Sequence, residues 1–209
     1  MLPANDQYDF CHGCGVHFRI QNWSSWNTIG GVLYSDGYFV APMDPDSNVY
    51  FKCPECDAII DKWSWVPKDL DEPMFDAPGL VDLELATFTE AFESVKLMAR
   101  DGIGVSRLIE MRHQLWILGN HVRRDENREL PLSPYEIQNL ELLLAMLGPL
   151  PQERLRKGMI LRTLGRFEEA REYLVEHQNT SDFEVDLIRL NFMLQAQSDS
   201  RVGKWEIDL

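Results

Sequence analysis

The chain has 209 residues, 44% of them hydrophobic and 11% aromatic, and a formal net charge of −14. That composition is globular and excludes a disordered or low-complexity chain, and the length allows one generous domain or two small ones. No apolar run reaches the ~20 residues of a membrane span. The opening Met1-Leu2-Pro3-Ala4-Asn5-Asp6 has neither the basic start nor the apolar stretch of a secretory signal, so a soluble, cytoplasmic protein is expected.

The first elements are two Cys-x-x-Cys pairs, Cys11-His12-Gly13-Cys14 and Cys53-Pro54-Glu55-Cys56, which hold all four cysteines of the chain. Four thiolates at this spacing suit one tetrahedral metal ion, above all zinc. Gly15 after the first pair can take a positive φ without steric cost, and Pro54 stiffens the second by fixing its own φ. Iron, which four thiolates also hold, is the alternative metal. Disulfides or reduced thiols are the remaining reading, which a reducing cytosol disfavours. A catalytic zinc would keep an open position. Four cysteines close the shell, so His12 and His17 are read as polar surface residues.

Between the pairs the period is that of strands. Val16, Phe18 and Ile20 alternate with His17, Arg19 and Gln21,. Residues 31–34 and 37–40 flank Ser35-Asp36-Gly37, a hairpin turn signal. Residues 48–52 run back into the second pair, and Trp63 and Trp65 alternate beyond it. Cys-Pro-x-Cys together with Cys-x-x-Cys-Gly resembles the rubredoxin-type knuckles of zinc ribbons over roughly residues 8–66. Asp57 stands where such knuckles often carry a second glycine. The resemblance implies a small antiparallel ribbon clamped by metal.

Residues 71–80, rich in acid and proline, read as a connector. From about Asp82 the period becomes helical: Phe88, Phe92, Val95 and Ala99 form one stripe, ended by Asp101-Gly102. A second helix from about Val105 carries Leu108, Ile109, Leu115 and Trp116 to Gly119-Asn120. Ser133-Pro134-Tyr135-Glu136 is a capping box with proline at the first helical position. It opens a helix whose expected buried stripe is Ile137, Leu140, Leu143, Leu144 and Leu147. Another helix begins near Pro151, Gly165 breaks it, and Phe167 starts the next. Ser181-Asp182-Phe183-Glu184 repeats the capping box before a last helix with Leu187, Ile188 and Phe192. Within this array Gly158, Gly165, Phe167, Ala170 and Leu174 resemble a tetratricopeptide repeat over about residues 151–184, which implies two closely packed helices. Arg154, Leu161 and Asp182 depart from that family's usual residues.

The fold expected is therefore α+β: a small antiparallel zinc ribbon (1–70), a connector (71–80), and an array of about six helices (81–209). The metal ligands are Cys11, Cys14, Cys53 and Cys56. Trp23, Trp26, Trp63 and Trp65, with Phe18, Tyr38 and Phe39, are read as the packing of a small core, with an aromatic partner pocket as the alternative. Arg123, Arg124 and Arg128 lie among Asp125, Glu126 and Glu129 and are read as a solvated, ion-paired loop. Glu168, Glu169, Glu172 and Glu176 are read as an exposed helix face. His113, His121 and His177 belong to no recognisable catalytic motif.

Residues 1–80 hold four Lys/Arg against twelve Asp/Glu, and residues 81–209 hold sixteen against twenty-two. Such a surface repels the phosphate backbone and steers towards basic proteins. The function expected is non-catalytic: binding a basic protein partner to hold or inhibit it, with a bacterial immunity protein as one concrete form. The alternatives are a rubredoxin-like iron electron carrier, a nucleic-acid-associated zinc-ribbon factor, and a hydrolase whose site assembles only in space.

Overall fold

The computed structural model describes residues 2–3, 7–20, 23–25, 31–40, 49–62, 80–124, 130–175 and 204–206. The strands are β1 (Leu2–Pro3), β2 (Gln7–Phe10), β3 (His17–Ile20), β4 (Trp23–Ser25), β5 (Val32–Tyr34), β6 (Phe39–Val40), β7 (Tyr50–Lys52), β8 (Ile59–Asp61), β9 (Glu84–Leu85) and β10 (Lys204–Glu206). The helices are α1 (Phe88–Arg100), α2 (Val105–Asn120), α3 (Pro134–Met146), α4 (Pro151–Thr163) and α5 (Phe167–Val175). Among the described residues this is an α+β architecture of small antiparallel sheets and five α-helices. The expected last helix after Ser181 lies outside the described residues, as do Trp63 and Trp65, almost all of the connector, and Arg128.

Two compact units divide the chain. One comprises Met1–Gly31, Val40–Ser94 and Ile207–Leu209, and the other Val32–Phe39 and Val95–Glu206. In the first, β2 pairs with β3 and β7 with β8, each an antiparallel hairpin whose loop is one Cys-x-x-Cys turn. Residues 81–86 tie the two hairpins together. Val81 donates its N–H to the His17 carbonyl (3.0 Å), β9 pairs with β7, and the Ala86 N–H reaches the Tyr50 carbonyl (3.2 Å). Val81 and Leu83 pack on a core of Cys11, Phe18, Cys53 and Ile60.

That segment differs from the helix expected from about Asp82. Val81-Asp82-Leu83-Glu84-Leu85 alternates apolar and acidic residues with period two, which is a strand signal. The helix starts instead at Phe88, and Thr87 caps it. The Thr87 hydroxyl accepts from the Glu90 N–H (3.3 Å), and the Glu90 carboxylate accepts from the Thr87 N–H (2.8 Å). This is a reciprocal capping box. The Thr87 hydroxyl and amide, with Lys52 beside them, hold Glu90 down at about 2.

In the second unit Trp116, Leu140, Leu143, Leu147, Met159 and Ile160 form a core contributed by α2, α3 and α4. Ser133 caps α3 with the expected box. Its stripe is not entirely the expected one, because Ile137 is 42% exposed. On the first turns of α3 the buried positions are polar. Glu136 takes Arg123 in a two-pronged ion pair (2.5 and 2.9 Å), and Asn139 bonds the Arg112 guanidinium (3.2 Å) and carbonyl (2.9 Å). Arg123 also donates to the carbonyls of Gly119, Leu130 and Pro131. It is a buried clasp between the end of α2 and the start of α3, not a solvated loop residue.

Val32–Phe39, which carries β5 and the turn into β6, belongs to this helical unit, whereas the sequence places it in the ribbon. Its turn residue Asp36 is 1% exposed. The Asp36 carboxylate accepts from Asn120 Nδ2 (2.8 Å), Arg124 Nη2 (2.6 Å) and the Tyr38 N–H (3.1 Å), and its carbonyl accepts from His113 Nε2 (2.9 Å). The Arg124 guanidinium lies over the rings of Tyr38 (4.0 Å) and Tyr34 (5.1 Å). Arg124 is thus paired across the fold and buried, with Tyr38 as its platform. β10 extends the hairpin into a three-stranded sheet by pairing with β5.

The helical unit should lose stability in acid in two steps. Burial, with Arg156 nearby, pushes His113 below its ordinary range. Glu136 is held below the usual carboxylate range, because its bonds to Arg123 and Ser133 outweigh the opposing effect of burial. Both folded values are depressed, so each contribution is complete above the unfolded value, about 6.5 for His and 4.3 for Glu, and is lost as pH falls below it. Denaturant midpoints should therefore drop between pH 7 and 5.5 and again below about 4.3, and His113→Gln should lack the first drop. Midpoints that stay level from pH 7 to 5 in the native sequence would contradict this.

Candidate metal centre

Each cysteine pair forms the same backbone turn. The Cys11 N–H donates to the Val16 carbonyl (2.8 Å) and the Gly15 N–H to the Cys11 carbonyl (2.7 Å). In the second turn Cys53 donates to Ala58 (2.9 Å) and Asp57 to Cys53 (3.0 Å). The fifth position of each turn has a positive φ, 78° at Gly15 and 58° at Asp57. Asp57 therefore takes the left-handed conformation at the place where the first turn uses glycine, which aspartate tolerates better than most residues.

The two turns bring all four sulfurs within 4.8 Å of one another. Cys11 Sγ lies 3.5 Å from Cys56 Sγ, and Cys14 Sγ 3.7 Å from Cys53 Sγ. A tetrahedron with metal–sulfur bonds of about 2.3 Å has sulfur–sulfur edges of about 3.8 Å, so a single ion fits this spacing. A disulfide needs about 2.05 Å, and the four cysteines are free. The fold thus brings together the four cysteines singled out in the sequence, in an arrangement that could hold a metal ion. His12 and His17 are outside it: both are exposed, and Phe10 meets their rings edge-on at 5.0 and 6.4 Å.

Cys11 and Cys53 are buried, while Cys14 and Cys56 face outward. Burial pushes the Cys11 thiol up, but the backbone N–H groups of Cys14 and Gly13 and the neighbouring thiols outweigh it and lower the thiol to about 7. The Ala58 N–H pulls Cys56 down, yet burial and hydrogen bonding to the other three cysteines carry it to about 12. Four thiols this close share their protons and cannot all ionise alone. A divalent cation replaces those protons, so binding should release them.

Gly13 is a contributor that the spacing did not reveal. A Cβ there would stand 3.0 Å from Cys56 Sγ and 3.2 Å from the Ala58 Cβ. The first turn therefore passes so close to the opposite pair that a side chain here would need Cys56 Sγ and Ala58 to give way by a few tenths of an ångström.

Charge follows the units rather than the linear halves of the chain. The metal-centre unit holds four Lys/Arg against sixteen Asp/Glu, a net of −12. The helical unit holds sixteen against eighteen, a net of −2. Four thiolates around a divalent ion add about two further negative charges to the first. Of the arginines in the helical unit, Arg112, Arg123 and Arg162 are buried, and the Arg124 side chain is 6% exposed.

The chain matches no protein-family model, no curated protein and no solved structure.

Proposed function

We propose that this protein is a non-catalytic, zinc-stabilised cytoplasmic protein that binds a basic protein partner and holds or inhibits it. The observation that carries the reading is the concentration of charge: −12 of the net −14 belongs to the unit built on the four-cysteine centre. Zinc is the ion proposed, because four thiolates in a tetrahedral setting are its usual structural site. The filled shell leaves no position for substrate or water, so the ion acts as a staple rather than a Lewis acid. The acidic surface around it repels nucleic acid and attracts cationic protein.

The second unit serves as scaffold in this reading. The tetratricopeptide-like pattern of α4 and α5 is supported by the burial of Gly158 and Ala170 and by Gly165 at φ 76° in the turn between the helices. A bacterial immunity protein that neutralises a basic toxin is the concrete form proposed. An iron centre for electron transfer is the second reading, favoured by the outward position of Cys14 and Cys56. Colour of the purified protein separates the two.

Steering by charge raises association rates and fades with salt, whereas dissociation depends on close contacts. The partner co-purified from the native cell should therefore be basic. Its association rate with this protein should fall about tenfold or more between low and physiological salt while its dissociation rate changes less. An acidic partner, salt-independent association, or turnover by the isolated protein would refute the proposal. Co-expression with the products of neighbouring genes tests the immunity form, which requires rescue from a toxin.

A further inference from the structure

The outer edge of β9, which pairs with no strand among the described residues, bears on how such a partner would be held. β7 lies between β8 and β9, and its backbone groups alternate between them. Cys53 bonds Ala58 and Lys62 bonds Val49, so Phe51, between those rungs, directs its N–H and carbonyl towards Ile60 of β8. On the other side the Ala86 N–H reaches the Tyr50 carbonyl, and Lys52 stands opposite Glu84. Phe51 and Leu85 are then the non-bonded pair between two bonded ones. The N–H and carbonyl of Leu85 point away from β7, and no strand among the described residues pairs with them.

The side chain adds a second signal. Leu85 stands opposite Phe51, which packs on the unit's core, yet Leu85 is 58% exposed. Opposite residues share a face of the sheet, so Leu85 continues the apolar face past the point where it is covered. Natural sheets blunt such edges with lysine, proline or a covering segment. Here the flanking residues are Asp82 and Glu84, both exposed. Lys52, which stands opposite Glu84, is already held by Glu90 (3.3 Å), Glu84 (3.5 Å) and Asp57 (3.7 Å). Carboxylates beside an open edge repel acidic strands and admit cationic ones, which is selection by charge.

We infer that β9 is the docking edge. An extended segment of a basic protein adds to it as the next strand, bonding the Leu85 N–H and carbonyl. Its apolar residue covers the Leu85 side chain, and its lysines or arginines lie over Asp82 and Glu84. Strand addition of this kind takes affinity from backbone bonds and specificity from alternate side chains. The inference rests on the proposed basic partner and assigns it a site.

The test uses the full metal-loaded chain and a nine-residue peptide of alternating lysine and valine as probe, with the glutamate–valine peptide as its counterpart. The Leu85 amide should exchange with solvent quickly in the free protein and become protected when the lysine peptide binds, while the glutamate peptide has no effect. Leu85→Pro removes the outward N–H without touching an inward bond and should weaken the lysine peptide about tenfold or more. Retained metal content reports that this variant is folded; if it is not, exchange at Leu85 in the native sequence decides. Absence of lysine-peptide binding, unchanged exchange at Leu85, or equal affinity in folded Leu85→Pro would overturn the inference. Equal affinity would leave the basic-partner reading standing, because the acidic surface alone then accounts for binding. An acidic native partner would overturn that reading whatever the peptide does.

Discussion

Removing the metal, by chelation or by Cys53→Ser, should unfold the four-cysteine unit while most of the far-ultraviolet helix signal remains. In the cluster around the centre, two of the four buried residues, Cys11 and Cys53, are proposed metal ligands, beside Phe18 and Ile60; the other buried apolar residues described in the unit are Val49, Tyr50, Ala86, Ala91 and Phe92. Apolar burial on this scale does not by itself offset the conformational entropy of some ninety residues,. Structural zinc supplies an apparent binding free energy of roughly 10–16 kcal/mol in small finger peptides at neutral pH, which is enough to decide folding here. The core of α2, α3 and α4 contains none of the four cysteines, and those helices should persist. Circular dichroism with limited proteolysis reads the outcome: new cleavage within residues 1–80 and little change in helix. Loss of all helix in a single transition on chelation would mean that the two units fold only together.

Asp36→Ala should destabilise the helical unit by about 3–5 kcal/mol, the usual cost of deleting one partner of a buried ion pair. The substitution leaves the Arg124 guanidinium buried over two tyrosine rings without its carboxylate, and removes the acceptor for Asn120 and the Tyr38 amide. Denaturant midpoints should fall while metal content stays at its native value. If the hairpin of β5 and β6 belonged energetically to the ribbon, the reverse would be seen: metal affinity would fall and the helices would be unaffected. The double variant Asp36→Ala with Arg124→Ala should recover part of the loss, since no charge is then stranded.

What the sequence made legible follows from the range of the interactions involved. The four cysteines were readable because tetrahedral thiolate chemistry dictates their local spacing, and the two turns are short enough to specify themselves. Ser133 and Glu136 were readable because a capping box is complete within four residues. Thr87-Phe88-Thr89-Glu90 carries the same signal, but it lies just after the alternating run of residues 81–85, whose last leucine also suits a helical stripe. The docking of Asp36 on Asn120 and Arg124 was not readable. Its partners are 84 and 88 residues away in the chain, and the carboxylates adjacent to Arg124 suggested a local pairing instead. Burial of Glu136 and Asn139 in place of Ile137 escaped for a related reason. Periodicity counts apolar residues, and the first turns of α3 bury polar ones that are satisfied by arginines from α2 and the turn after it.

The metal content of the purified chain bears most directly on the account, because the fold of the acidic unit and the non-catalytic role proposed for it both depend on one closed four-cysteine centre. Elemental analysis together with native mass spectrometry should find one zinc ion per chain in the native sequence and none in Cys53→Ser. Stoichiometric iron with visible colour, or a chain that carries no metal and keeps the β2–β3 and β7–β8 hairpins folded, would contradict it.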